Sequence, residues 1–482
     1  MGVWKPTVSA ENEIGNFVPG IGARLTPGAH CGKHASRPLT CQGSEKPCGW
    51  AELAVAVRPP SRNADATMTD ENSPSESSTR TAWRVVFLLM PVALLNYLDR
   101  QMLAAMKSSV MADITSIESD ANWGYMLGQF KWVYAVLSPF AGFVADRVGR
   151  RFTICSSLFV WSAVTWWTGR AGTYSELLWT RSLMGISEAF YIPAALALIA
   201  DHHTSASRSR AVGLHQMGIY LGVIAGGFAG FVSQNPALGW RSAFTACGVV
   251  GMAYTLPLVM LLKHTGNSPS ESPTTPQELE KGSVLKHLIL NGSFLLLVLY
   301  FTLPAMAGWV VRDWMPAILK DKFHLNEGYA GMWATVPAQV LSMIGGVIGG
   351  FFADRWIRRT NRGRIYVSAI GMLCIVPAIF GVGNADTLTI AIGFLMLFGL
   401  GWGFFDGNNM PILSQIVPAR LRATGYGIMN FVSISCGGLA DYGFGVLRDR
   451  KVELNLIFGA FAGAALLSAV LVLLIRPRAE LK

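Results

Sequence analysis

From Trp83 to the C-terminus, long apolar stretches alternate with short polar ones. Each apolar stretch is near the roughly 20 residues a helix needs to cross a bilayer at 1.5 Å per residue. Twelve are read, at about 84–106, 122–143, 152–169, 174–200, 211–232, 242–262, 287–312, 328–353, 365–382, 386–413, 424–446 and 454–475. Between the sixth and seventh lies Lys263 to Lys286, which holds Pro269, Pro273 and Pro276 among Ser, Thr and Glu. That composition reads as a polar linker over 263–286. The pattern therefore predicts an all-α polytopic membrane protein, with one six-helix bundle over 82–262, a second over 287–476 and a short tail at 477–482.

Residues 1–81 contain no spanning segment and are rich in Gly, Pro, Ser and charge. Such a stretch cannot bury enough apolar surface to offset its ordering entropy, so a disordered tail is expected. It lacks the basic, apolar and small-residue order of a secretory signal. Met68 opens a polar stretch that would make an ordinary short N-terminus, so translation is expected to start there, with 1–67 a mis-assigned start.

Composition agrees with lipid as the main solvent. The 482 residues are 51% hydrophobic and 14% charged, against about 25% charged in soluble proteins, and mean hydropathy is +0.39. A net charge of +10 could point to nucleic acid, but the basic residues sit in clusters between apolar stretches, as membrane orientation requires. A nucleic-acid partner is excluded on that ground. With both termini on one side, the connections on that side hold 15 Lys and Arg against 8 on the other. The asymmetry places both termini in the cytoplasm of a cell membrane. Cys155, Cys247, Cys374 and Cys436 lie in apolar runs at no ligand spacing and read as small core residues, and the adjacent His202 and His203 have no matching partner cluster, so no metal is expected. No phosphate-binding loop or nucleophile elbow occurs, so an ATP-driven pump or an enzyme has no basis.

One motif occurs twice. Gly142-Phe-Val-Ala-Asp146-Arg147-Val-Gly149-Arg150-Arg151 joins the second and third spans, and Gly350-Phe-Phe-Ala-Asp354-Arg355 joins the eighth and ninth. A glycine near a helix end permits close helix approach, and the acid and arginines can lock a gate in one state. Gating roles are therefore expected for Gly142, Asp146, Arg147, Arg150, Gly350, Asp354 and Arg355. The loop resembles the signature of the major facilitator superfamily; the second copy departs from it, with Ile357 where a glycine is expected. The resemblance spans roughly 82–476 and implies two pseudo-symmetric bundles around one cavity, working by alternating access.

Ionisable groups at membrane depth are functional candidates by default. The first span carries Asn96-Tyr97-Leu98-Asp99-Arg100, and the fourth Arg181-Ser-Leu-Met-Gly185-Ile-Ser-Glu188. Arg181 and Glu188 are two turns apart and share a helix face. A buried carboxylate can exchange a proton, and an arginine fork matches a substrate carboxylate. The competing reading is that Asp99–Arg100 and Arg181–Glu188 are permanent ion pairs. The two motifs resemble the anion:cation symporter branch, which includes transporters of hexuronates, galactonate, sialic acid and phosphate-like anions. That resemblance implies Asp99 and Glu188 as proton-coupling sites and Arg100 and Arg181 as binding or pairing groups. The Spinster-like branch, associated with lysolipids and sphingolipids, shares both motifs. Lys131, in Phe130-Lys131-Trp132-Val133-Tyr134, tips the choice by adding a cation near the cavity.

Tyr97 and Tyr134 complete this candidate substrate site, together with Asn408 and Asn409 beside Asp406 on the glycine-rich tenth span; Gln339 and Asn430 are weaker candidates. Arg312 and Asp313, flanked by Trp309 and Trp314, read as an interfacial charge pair, and Asp441 has no assigned role. The function expected is proton-driven symport of a small organic anion, such as hexuronate or aldonate, by a monomer without a cofactor. A Spinster-like lipid carrier and a non-transporting nutrient sensor on the same fold are the alternatives.

Overall fold

The computed structural model describes residues 76–262, 286, 288–418 and 421–477, and these are helical with short connections. The expected N-terminal tail and nearly all of the expected linker lie outside the described residues. Every span falls on a helix or a broken helix. In the first half these are α1 (Glu76–Ala105), α3 (Asp120–Val148), α4 (Arg150–Thr168), α5 with α6 (Tyr174–Glu188 and Tyr191–His202), α7 with α8 (Ser205–Gly227 and Ala229–Ser233) and α9 (Gly239–Leu261). A short α2 (Lys107–Asp113) joins the first two spans. The second half has α10 (Gly292–Phe323), α11 (Glu327–Ile357), α12 (Gly363–Asn384), α13 with α14 (Leu388–Asp406 and Asn409–Ile416), α15 (Arg422–Asp449) and α16 (Leu454–Leu474). Among the described residues, nine helices are long and apolar enough to cross a membrane unaided. The long helices α3, α4 and α15 fall outside those nine; α3 and α15 carry charges used inside the protein.

The two halves repeat the same packing. In the first, α1 lies on α7, α4 on α9 and α3 on α5; in the second, α10 lies on α15, α12 on α16 and α11 on α13. Small residues permit the closest of these contacts. A Cβ on Gly222 of α7 would stand 2.3 Å from the Leu94 carbonyl oxygen of α1, and one on Gly399 of α13 2.1 Å from that of Ala338 on α11.

The breaks in the fourth and tenth spans have one cause. Pro193 and Pro411 cannot donate to the carbonyls four residues back, at Ala189 and Gly407. The helices break there, between α5 and α6 and between α13 and α14. Glu188 and Asp406 each stand five residues before the proline and end the first segment. They are counterparts in the internal repeat.

The repeated loop differs between the halves for a backbone reason. Gly149 has φ +100° and ψ 129°, closing α3 and opening α4 in a single residue. No L side chain adopts that conformation readily. At the second copy, Ile357 is the last residue of α11 and the turn comes later, over 358–362. No glycine is needed where the helix continues.

Candidate functional site

A cavity of roughly 1110 Å³ lies between the bundles. Its wall runs from Gln101, Lys131 and Arg312 to Phe140 and Gly142 on α3, Met410 on α14 and Gly427 on α15. It thus reaches the end of the molecule that carries the repeated loops, here called the motif end. At the opposite, far end the bundles are shut. A Cβ on Gly124 or Gly445 would stand 2.4 or 2.2 Å from the carbonyl oxygen of Asp441 or Asp120, and Gly227 packs on Gly331 and Thr335. Polar ties reinforce the closure. Asp449 accepts from the backbone of Asp120 and Ala121, and Glu327 accepts from the Ser109 amide at 2.8 Å and the Ser233 hydroxyl at 2.7 Å.

The motif-end groups do not link the bundles in this state. Arg150 reaches Asp146 at 3.2 Å and also pairs with Asp201, all in the first bundle; Arg364 meets Asp354 at 3.2 Å in the second. Arg147 and Arg355 are exposed. A Cβ on Gly142 or Gly350 would meet nothing within 4 Å, so neither glycine serves close helix approach here, contrary to the expectation.

Behind the cavity wall, α1 and α5 bring four charges together, in pairs that the sequence did not give. The ion pairs cross between helices. Arg100 contacts Glu188 at 2.6 Å and Arg181 lies 3.9 Å from Asp99, in place of the same-helix alternatives. Asp99 also accepts from Thr165, and Arg181 donates to Thr168 at 3.0 Å. Arg100 and Tyr97 reach the wall, whereas Asp99, Arg181 and Glu188 are buried behind it. Arg181 therefore stands out of reach of a ligand in this state. The Arg100 guanidinium is framed by the rings of Phe130 at 4.7 Å, Tyr97 at 4.9 Å and Tyr134 at 5.1 Å. Aromatic faces favour the cation and hold its plane in place.

Lys131 faces the cavity but is not a free cation. It is buried, and its ammonium contacts both Asp313 on α10 and Asp441 on α15. Asp313 is thus no interfacial group, and α10 continues ten residues past it. Arg312, its neighbour, lines the cavity instead. Its guanidinium lies 5.3 Å from the Trp309 ring and 5.6 Å from Tyr97, and among the described residues it makes no ion pair. Asp406 and Tyr426 line the same cavity, with Gln216, Gln339 and Asn430. Asn408 and Asn409 do not: both are buried, Asn408 in the break between α13 and α14 and Asn409 at the start of α14, and Asn408 is spent on the Phe404 carbonyl at 2.8 Å.

A sequence profile of the Major Facilitator Superfamily matches residues 89–441. The chain belongs to that superfamily. Superfamily relatives under several different names align over most of its length. A Mycolicibacterium smegmatis MFS-type efflux pump is 26% identical, over 81% of this chain and 90% of its own. Protein spinster homolog 1 of Xenopus tropicalis is 26% identical, covering 84% of each. The probable galactarate/D-glucarate transporter GudP of Bacillus subtilis is 25% identical, over 83% and 93%. Among solved structures, an inward-facing, occupied bacterial homologue of the lysosomal transporter Spinster superposes with TM-score 0.68 at 20% identity, covering 82% of this chain and 96% of that one. A D-xylose–proton symporter gives 0.67 at 17%, covering 83% and 99%. The superfamily fold and a transport role follow.

For this superfamily member, the residues missed by sequence reasoning are Arg312, Asp313 and Asp441. Their signal was present. Setting the seventh span's end at 312 made an intramembrane Arg-Asp pair look interfacial.

Proposed function

We propose that the chain is a proton-coupled symporter of a small organic anion, a sugar acid such as hexuronate or aldonate, in the cell membrane. The excess of Lys and Arg on the motif side supports cytoplasmic termini and a cavity open to the cytoplasm. Two relatives named for galactarate and D-glucarate, from Bacillus subtilis and Escherichia coli, support the cargo class.

The observation that carries the reading is a contrast between two cavity arginines: Glu188 pairs with Arg100, and among the described residues Arg312 makes no ion pair. A carboxylate substrate docks on Arg312 through two parallel hydrogen bonds. A proton on Glu188 removes its charge and frees Arg100 to serve as a second anion contact. When that proton leaves toward the motif end, Glu188 recaptures Arg100 and the anion loses a partner. Proton and anion thus travel together. Asp406, Gln216, Gln339 and Asn430 offer acceptors and donors for hydroxyl groups along the substrate.

The test is uptake of labelled glucuronate, galactonate and a lysophospholipid into proteoliposomes with an imposed pH gradient. Concentrative sugar-acid uptake, lost on adding a protonophore, is expected. Uptake of the lysophospholipid alone, or of a sugar acid without response to the gradient, would overturn the reading.

A further inference from the structure

The Lys131 cluster is outside the four-charge group just described, and it is built across the two bundles. Lys131 belongs to α3 of the first; Asp313 and Asp441 belong to α10 and α15 of the second. The two Oδ2 atoms share one ammonium, and the second oxygen of Asp441 is buried without a hydrogen-bond partner. The Trp309 ring lies 4.4 Å from the ammonium.

We propose that Asp313 and Asp441 form a second proton-binding site, which Lys131 empties when the far ends of the bundles close and leaves open to protons when they part. The reason is competition. An ammonium and a proton seek the same carboxylate oxygens, and two carboxylates this close disfavour each other's charge. Closure brings Lys131 in from the opposite bundle and displaces a proton toward the cavity, whose wall includes Lys131. Parting of the bundles removes the lysine, and two adjacent carboxylates without a cation take up a proton between them.

The neighbouring charges do not do this work. Arg312 on α10 turns toward Tyr97 and Trp309. Tyr134 on α3 faces Arg100 of α1, which is committed to Glu188, and Arg181 on α5 stands by Asp99. Tyr442 on α15 packs against Tyr125, and α16 has no ionisable side chain. Another far-end carboxylate, Glu327, bridges the bundles through hydroxyl and amide donors and calls for its own control.

The site stands apart from the choice of cargo, so its test uses no substrate. Spin labels on unnatural amino acids at the exposed far-end residues Glu118 and Glu453 report bundle separation by electron–electron resonance in nanodiscs, from pH 5 to 9. In the otherwise unaltered protein the far-end-open population is expected to rise as pH falls. One linked proton contributes up to about tenfold in the open-to-closed ratio per pH unit. The D313N/D441N variant should lose that contribution. Lys131→Gln, which removes the competitor and keeps both acids, should lose it too and serves should the double variant fail to fold. Glu327→Gln should keep it. The proposal is overturned if D313N/D441N or Lys131→Gln retains the full slope, or if Glu327→Gln alone abolishes it.

Discussion

Arg100 donates Nε–H to one oxygen of Glu188 at 2.7 Å, and its Nη2 lies 2.6 Å from the same oxygen as an ion-pair contact. The other carboxylate oxygen is buried without a hydrogen-bond partner, an open place for a proton. The pair joins α1 to α5 directly behind the cavity wall, so a change in the charge of Glu188 is felt by a cation that lines the cavity. Glu188→Gln keeps a near-isosteric acceptor for Arg100 and cannot ionise. We expect it to abolish gradient-driven accumulation while leaving exchange of labelled for unlabelled substrate intact. Counterflow and accumulation measured on one preparation check this; full accumulation by the variant would remove the coupling role.

Arg312 lines the cavity and, among the described residues, makes no ion pair. Replacing it with lysine keeps the charge and loses the planar fork. Hydrogen bonds to charged groups are worth about 1.5–3 kcal/mol each, so losing one raises the KM for an anionic substrate by roughly 10- to 100-fold. Arg312→Gln should do worse than Arg312→Lys. Saturation curves for sugar-acid uptake decide it, and an unchanged KM in both variants would take Arg312 out of the binding site.

The architecture was legible because lipid imposes a length and a polarity on each span, and because the loop motif occurs twice. The site was legible only in part. Asp99, Arg100, Arg181 and Glu188 stood out as charges in apolar sequence, but periodicity places residues on faces of one helix and says nothing of which helix lies opposite. The crossed pairs Arg100–Glu188 and Arg181–Asp99 therefore needed coordinates. Lys131 illustrates the same limit. Its depth was readable, whereas its two acid partners sit 182 and 310 residues away, beyond the linker. Asn408 and Asn409 looked like ligand groups by type, yet the helix break after Asp406 turns them into buried structure.

Closure at the far end depends on absent side chains. A Cβ at Gly124 would lie 2.4 Å from the Asp441 carbonyl oxygen and 3.0 Å from the Tyr442 Cα, and backbone at that distance must move. Gly124→Ala should therefore shift the protein toward the far-end-open state and slow transport, with Gly128→Ala acting likewise against Gly438. Spin-label distances between Glu118 and Glu453 would report the shift. The same substitution at Gly142, where nothing stands within 4 Å, should leave the motif-end-open state undisturbed. A longer far-end distance in Gly142→Ala, without one in Gly124→Ala, would reverse the assignment of the closed end.

The two copies of the repeated loop should respond unequally to substitution of their distinguishing residues. Gly149 at φ +100° makes the whole turn between α3 and α4. Alanine there costs on the order of 1–3 kcal/mol of backbone strain. Ile357 is helical and partly buried at the end of α11, so Ile357→Gly loses only about 0.5–1 kcal/mol of helix propensity together with some side-chain packing. Thermal unfolding of the purified variants should rank Gly149→Ala below Ile357→Gly, and a Gly149→Ala variant with an undiminished Tm would show that the turn accommodates a side chain by opening into the longer connection used at residues 358–362.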